Sequence, residues 1–183
     1  MFTIKVDENL SLGLVEKRHA QELFNLTDAS RTYLKEWLPW VDFTKTAVDS
    51  EKFIDMTLNQ FASNNGFQLA ICYEGNIAGM VGLHGINWSN KSTSIGYWLG
   101  EGFQGKGLMV KSCEAVMKYC FEELQLNRIE IRAATGNVKS QAIPEKLGFT
   151  KEGSVREAEW LYDHYVDHTI YGMLKSDFTK LYK

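Results

Sequence analysis

Long apolar runs are missing from this 183-residue chain, and none approaches the roughly 20 residues that a membrane span needs. Residues 1–13 hold no basic segment followed by an apolar one, so they do not read as a secretory signal, and a cytoplasmic protein is expected. A dense Lys/Arg cluster is also missing and the formal net charge is −3, so neither direct nucleic-acid binding nor a membrane partner is expected. Cysteine is scarce, at three residues. Cys113 and Cys120 stand seven apart in a helical pattern, about 10 Å along its axis, which is too far for a disulfide. Cys72 falls in an apolar strand-like run, and all three read as reduced core residues. No Cys-x-x-Cys or His-Glu-x-x-His occurs, and His164 and His168 lie where the pattern alternates like a strand, so no metal site is expected. Repeats, low-complexity tracts and linkers are absent, and residues 1–183 read as one domain.

What is present is ample core material: ten Phe, eight Tyr and five Trp within a 44% hydrophobic composition. Apolar–polar alternation predicts strands over residues 2–6 and 10–15, then a helix over 16–26 with Ala20, Leu23, Phe24 and Leu26 on its apolar face. Thr46 and Asp49 have the spacing of a capping box and open a longer helix through Phe53, Ile54, Leu58 and Phe61. Residues 67–73 and 77–83 read as a hairpin about Glu74-Gly75-Asn76, and 94–99 as a further strand. A helical stripe follows through Leu108, Met109, Cys113, Val116, Met117, Cys120, Phe121 and Leu124. A strand is expected over 128–134, a short helix between an Asn137 N-cap and a left-handed Gly148, and strands over 149–156 and 166–174. The fold class is α+β, a mostly antiparallel sheet flanked by helices.

The most informative stretch is the glycine-rich loop of residues 100–107, which joins a strand to that striped helix. Helix N-termini carry unpaired N–H groups and partial positive charge, and glycines at 105 and 107 let an anion approach the main chain closely. A plain tight turn is the alternative. Gly100-x-Gly102-x-x-Gly105 matches a dinucleotide fingerprint by spacing, but that motif needs a parallel βαβ unit, and the preceding strands look like hairpin partners. A Walker loop needs Gly-Lys-Ser/Thr, whereas Gly107 follows Lys106.

Gln104-Gly105-Lys106-Gly107 resembles the (Gln/Arg)-x-x-Gly-x-(Gly/Ala) pyrophosphate loop of the GNAT superfamily of N-acetyltransferases. Asn137-x-x-Ser140 and Glu145-Lys146-Leu147-Gly148-Phe149 resemble the same superfamily's second half. Ile95-Gly96-Tyr97-Trp98-Leu99 and Trp37-Leu38-Pro39-Trp40 resemble its RimJ/RimL branch, which acetylates N-terminal α-amines of ribosomal proteins. The resemblance implies acetyl-coenzyme A held in a V-shaped split between the strands at 94–99 and 128–134. Main-chain amides around Tyr97, Trp98 and Leu99 would hold the pantetheine arm and acetyl oxygen. Gln104, Gly105, Lys106, Gly107, Leu108 and Met109 would hold the pyrophosphate, and Asn137 would contact the arm. Ser140 would bond the departing sulfur and Glu159 would serve as base, with Glu101 and His84 as weaker candidates. Trp37, Trp40, Trp160 and Tyr162 would wall the pocket for the amine acceptor.

The sequence departs from the superfamily pattern at two positions. Met109 stands where Gly or Ala is usual, and Pro144 stands where many relatives carry a tyrosine proposed as general acid. Proline cannot fill that role, and without an N–H it should leave the short helix irregular at its centre. The acceptor is expected to be a protein N-terminus, with a small amine (polyamine, amino acid or antibiotic) as the alternative and a non-catalytic acyl-CoA sensor as another. A homo-oligomer is admitted by analogy alone.

Overall fold

The computed structural model describes residues 3–182. Eight strands, β1 (Thr3–Lys5), β2 (Leu10–Leu14), β3 (Gln68–Tyr73), β4 (Asn76–Asn87), β5 (Ser92–Leu99), β6 (Arg128–Ala134), β7 (Thr150–Leu161) and β8 (His164–Leu174), form one sheet in the order β1-β2-β3-β4-β5-β6-β8-β7. The helices are α1 (Ala20–Ala29), α2 (Arg31–Lys35), α3 (Ala47–Ala62), α4 (Leu108–Glu122), α5 (Val138–Lys146) and α6 (Lys175–Leu181). Every strand pairing is antiparallel except β5 with β6, whose parallel run is made possible by the crossover through α4.

The α4 stripe lies on one face of the sheet. Cys113, Val116, Met117, Cys120 and Phe121 bury themselves against Leu12, Leu69, Ile71, Val81, Ile95, Ile129 and Ile131. The opposite face carries a smaller cluster, where Ala20 and Leu23 of α1 and Ile54 of α3 meet Ala70 and Met80. The α3 cap forms as its sequence implies, with the Thr46 amide donating to Asp49 Oδ2 at 3.0 Å.

Several element boundaries differ from the sequence reading. Position 2 lies outside the described residues. The helix expected from residue 16 begins as a 3₁₀ turn, Lys17–His19, because His19 Nδ1 accepts the Glu16 amide at 3.1 Å and tightens the first turn. β7 and β8 are longer than read, because register shifts at Lys151/Gly153 and Val155/Glu159 interrupt the two-residue period on β7. At the second bulge Glu157 has a φ of 48°, and its amide donates to Asp167 Oδ1 at 2.8 Å.

Candidate active site

β5 and β6 stay paired for only four residues, from Ser92↔Arg128 to Ile95↔Ile131. β5 then follows β4 as far as Leu99, while β6 follows β8 to Ala134↔His168, so the two strands diverge into a V. Amide directions alternate along a strand. The Gly100 amide donates to Ala78 O on the β4 side at 2.8 Å, which sends the Trp98 amide the same way and those of Tyr97 and Leu99 into the split. The expected backbone contacts around residues 97–99 thus narrow to Tyr97 and Leu99. The Trp98 indole instead lies with its ring centroid 5.6 Å from that of Trp40.

Beyond β5 a 3₁₀ turn, Glu101–Phe103, brings the chain to the glycine loop. Gly105 and Gly107 have φ of 75° and 71°, a backbone shape that only glycine adopts without strain. A Cβ on either would meet nothing within 4 Å, so the main chain there faces open space. The first hydrogen bond of α4 runs from the Lys111 amide to Gly107 O at 3.3 Å, which leaves the amides of Leu108, Met109 and Val110 without helical acceptors. This is an anion cradle at the positive end of a 15-residue helix.

α5 closes the other side. Asn137 caps it, its Oδ1 accepting the Ser140 amide at 3.0 Å. Pro144 sits inside the helix and is buried, and α5 runs on to Lys146 with Gly148 left-handed beyond it. The Ser140 carbonyl, which Pro144 cannot serve, accepts from Tyr97 Oη at 2.9 Å, and Ser140 Oγ lies 3.4 Å from the same hydroxyl. A cleft of about 640 Å³ runs between these elements. Tyr97, Trp98, Leu99, Gln104, Gly105, Gly107, Leu108, Met109, Asn137 and Ser140 all line it. Lys106 does not: its Nζ turns back over the Tyr73 ring, 4.9 Å from the centroid. Met109 fits in place of a smaller residue because its side chain is buried in the main core.

The family model for the acetyltransferase (GNAT) domain matches residues 9–150. The chain belongs to the GNAT acetyltransferase family. YdaF of Bacillus subtilis (strain 168) is 36% identical over 97% of each chain. The ribosomal L7/L12 α-N-protein acetyltransferase RimL, solved with coenzyme A, superposes with a TM-score of 0.92 at 26% identity, covering 96% of this chain and 99% of that one. The microcin C7 self-immunity acetyltransferase MccE, solved with acetyl-CoA and AMP, gives 0.90 at 30% identity, covering 93% and 95%. The protein is an acyltransferase with acetyl-coenzyme A as its donor. Open glycine backbone and amides without helical acceptors are groups of the kind that a diphosphate takes as partners.

This GNAT cleft also contains residues that sequence reasoning missed. Lys139 and Lys146 line it with Ala142 and Ile143. The spacing of 139, 142, 143 and 146 is one helical face, and that spacing is the signal by which they could have been found. Tyr33 and Leu34 of α2 line the opposite wall.

The remaining expected residues of the GNAT site divide between the cleft and its surroundings. Trp37 lines the cleft, and Tyr162 Oη donates to Leu38 O at 2.7 Å, so that part of the aromatic wall converges. Trp160 does not join it; it stacks edge-on with Tyr165 at 4.8 Å, and both are more than half exposed. Glu159 lies on β7 outside the cleft lining, with Oε2 3.3 Å from His168 Nε2. His84 stands over Gly96, its Nδ1 3.1 Å from Ser94 Oγ. Desolvation by its neighbours lowers the His84 pKa, against the opposing pull of the Glu159 carboxylate. Glu101 is exposed, and its amide donates to Ser30 Oγ at 3.0 Å. The thiols of Cys113 and Cys120 are buried, and burial pushes Cys120 up to about 12 and Cys113 further still, so neither is a usable nucleophile.

Proposed function

We propose that this enzyme acetylates the N-terminal α-amine of a protein, ribosomal proteins being the leading class, by direct transfer from acetyl-coenzyme A. The observation that carries the reading is the near-full-length likeness to RimL, whose stated substrate is a ribosomal protein α-amine. The donor supplies an acetyl group already activated as a thioester. The chain's own residues then have three tasks. The amides of Tyr97 and Leu99 hold the donor's arm in the split, and the loop from Gln104 to Met109, with Lys139 and Lys146 beside it, holds the diphosphate. Ser140 donates its hydroxyl hydrogen bond to the departing sulfur. Glu159, steadied by His168, accepts the proton that the amine gives up.

The acceptor's chemistry eases the last task. An α-amine has a pKa of about 7.7–8.0, against about 10.4 for lysine. A useful fraction is therefore already neutral near pH 7, and a partly exposed carboxylate suffices as base. The reading implies a cytoplasmic enzyme in which residues 1–183 act as one catalytic unit.

A second reading, transfer to a small amine, is supported by the likeness to MccE. Peptides beginning with Ser or Ala are to be compared with polyamines, amino acids and aminonucleotides by following release of free thiol. Turnover confined to the small amines would remove the protein-substrate reading. Ser140→Ala should keep its affinity for coenzyme A while kcat falls about ten-fold or more, and unchanged turnover would remove Ser140 from the mechanism.

A further inference from the structure

Pro144 interrupts the hydrogen bonding of α5 without ending the helix, and the reason lies on the neighbouring strand. A proline has no N–H, so the carbonyl four residues earlier, that of Ser140, loses its helical donor. Here the donor comes from the side, as Tyr97 Oη–H reaches the Ser140 carbonyl at 2.9 Å. The same phenol oxygen also faces Ser140 Oγ, at 3.4 Å. One hydroxyl therefore touches both the main chain and the side chain of Ser140. The Tyr97 ring packs against the main core, and its strand is paired with β4 to Leu99, so the hydroxyl is held at a fixed height above the split.

We propose that Tyr97 is a positioning residue whose side-chain hydroxyl replaces the backbone donor removed by Pro144, thereby fixing Ser140 at the mouth of the split. The proposal rests on the reading of Ser140 as partner of the departing sulfur. Since the Tyr97 proton is committed to the carbonyl, the phenol oxygen offers Ser140 only a lone pair. At 3.4 Å that contact is long, and the Ser140 hydroxyl stays free to swing toward a ligand. Burial pushes the Tyr97 phenol far up, so it remains a donor at every working pH.

Residues 97 and 144 then form a matched pair. With proline at 144 the tyrosine hydroxyl is required. With an N–H at 144 the helix makes its own bond to Ser140 O and the hydroxyl becomes dispensable. Phenylalanine removes one oxygen and alanine favours helix, so the variants test the bond rather than the fold.

The test compares the unaltered protein with Tyr97→Phe, Pro144→Ala and the double variant, each by thiol release with a Ser-initiated peptide and by urea unfolding. Tyr97→Phe should lower kcat about ten-fold, the effect of one hydrogen bond, with KM for acetyl-CoA changed less than about two-fold. In the Pro144→Ala background the same substitution should cost about two-fold or less, and the unfolding free energies should show the same non-additivity. Equal losses in both backgrounds, or none in either, would overturn the proposal. The Ser140 reading fails separately: should Ser140→Ala turn over normally, the coupling between 97 and 144 in urea unfolding still decides the role of Tyr97.

Discussion

Lys139 Nζ lies 3.2 Å from Gln104 Oε1, and this contact joins α5 to the glycine loop across the mouth of the cleft. Among the described residues the lysine has no carboxylate partner at that distance; it spends its hydrogen bond on a neutral amide and lies 5.8 Å from the centroid of the Tyr33 ring. A cation held in this way is poised for a phosphate. Lys139→Ala should raise KM for acetyl-CoA about three- to ten-fold with kcat within about two-fold. Coenzyme A affinity should also fall less steeply with added salt in the variant than in the unaltered protein, measured by calorimetry across a salt series.

Gly107 tests the cradle. Its left-handed backbone makes Gly107→Ala cost about 1–2 kcal/mol of stability, yet the added methyl meets no protein atom. On the proposed function the methyl projects instead into the space that the diphosphate would take. Coenzyme A affinity should drop more than about ten-fold, by titration calorimetry, with only a modest fall in Tm. Unchanged affinity would move the diphosphate away from this loop.

His84 gives a pH signature of stability. Its folded pKa is lowered below the usual 6.5, so the unfolded chain takes up the proton first as the pH falls. Stability from this group is complete above about 6.5 and is lost as the pH drops from there toward the folded value. His84→Gln should therefore show a smaller fall in Tm than the unaltered protein between about pH 7.5 and 5.5. Parallel calorimetric curves for the two proteins would rule this out.

Asp167 holds the bulge that sets the register of Glu159. Its carboxylate accepts the Glu157 amide, and its carbonyl accepts the Thr135 amide at 2.8 Å, so one residue joins β7 to the end of β6. Asp167→Ala should lower kcat several-fold and stability by about 1–3 kcal/mol, with KM for acetyl-CoA unaltered. Asp167→Asn retains the acceptor oxygen and should recover most of the loss. If the two variants behave alike, the bulge is not held by this bond.

The parts of the fold that were legible in the sequence are those decided locally. The α4 stripe, the bounds of β6, the Asn137 cap and the left-handed Gly148 each follow from residue spacing or from one residue's backbone preference. The strand and loop proposed to hold the cofactor were legible as a strand and a left-handed glycine loop for the same reason, because both are decided by the main chain. Features that depend on tertiary partners were not. The bulges of β7 needed Asp167 from the adjacent strand, Lys106 was drawn from the cleft by Tyr73, and Trp160 found Tyr165 on the far side of its hairpin. The irregularity expected at Pro144 does not appear, because α5 runs unbroken from Val138 to Lys146 and the carbonyl that the proline leaves without a helical donor is served by a tyrosine 47 positions earlier in the chain.

The four-residue seam between β5 and β6 has a thermodynamic consequence. Past Ile95 and Ile131 the sheet forgoes its remaining rungs, so the Tyr97 and Leu99 amides have no acceptor on β6. A ligand that pairs with these amides need not pry a strand loose. Recognition draws on vacancies created when the chain folded, and hydrogen exchange at these two amides should slow on ligand binding while the rest of β5 is unaffected.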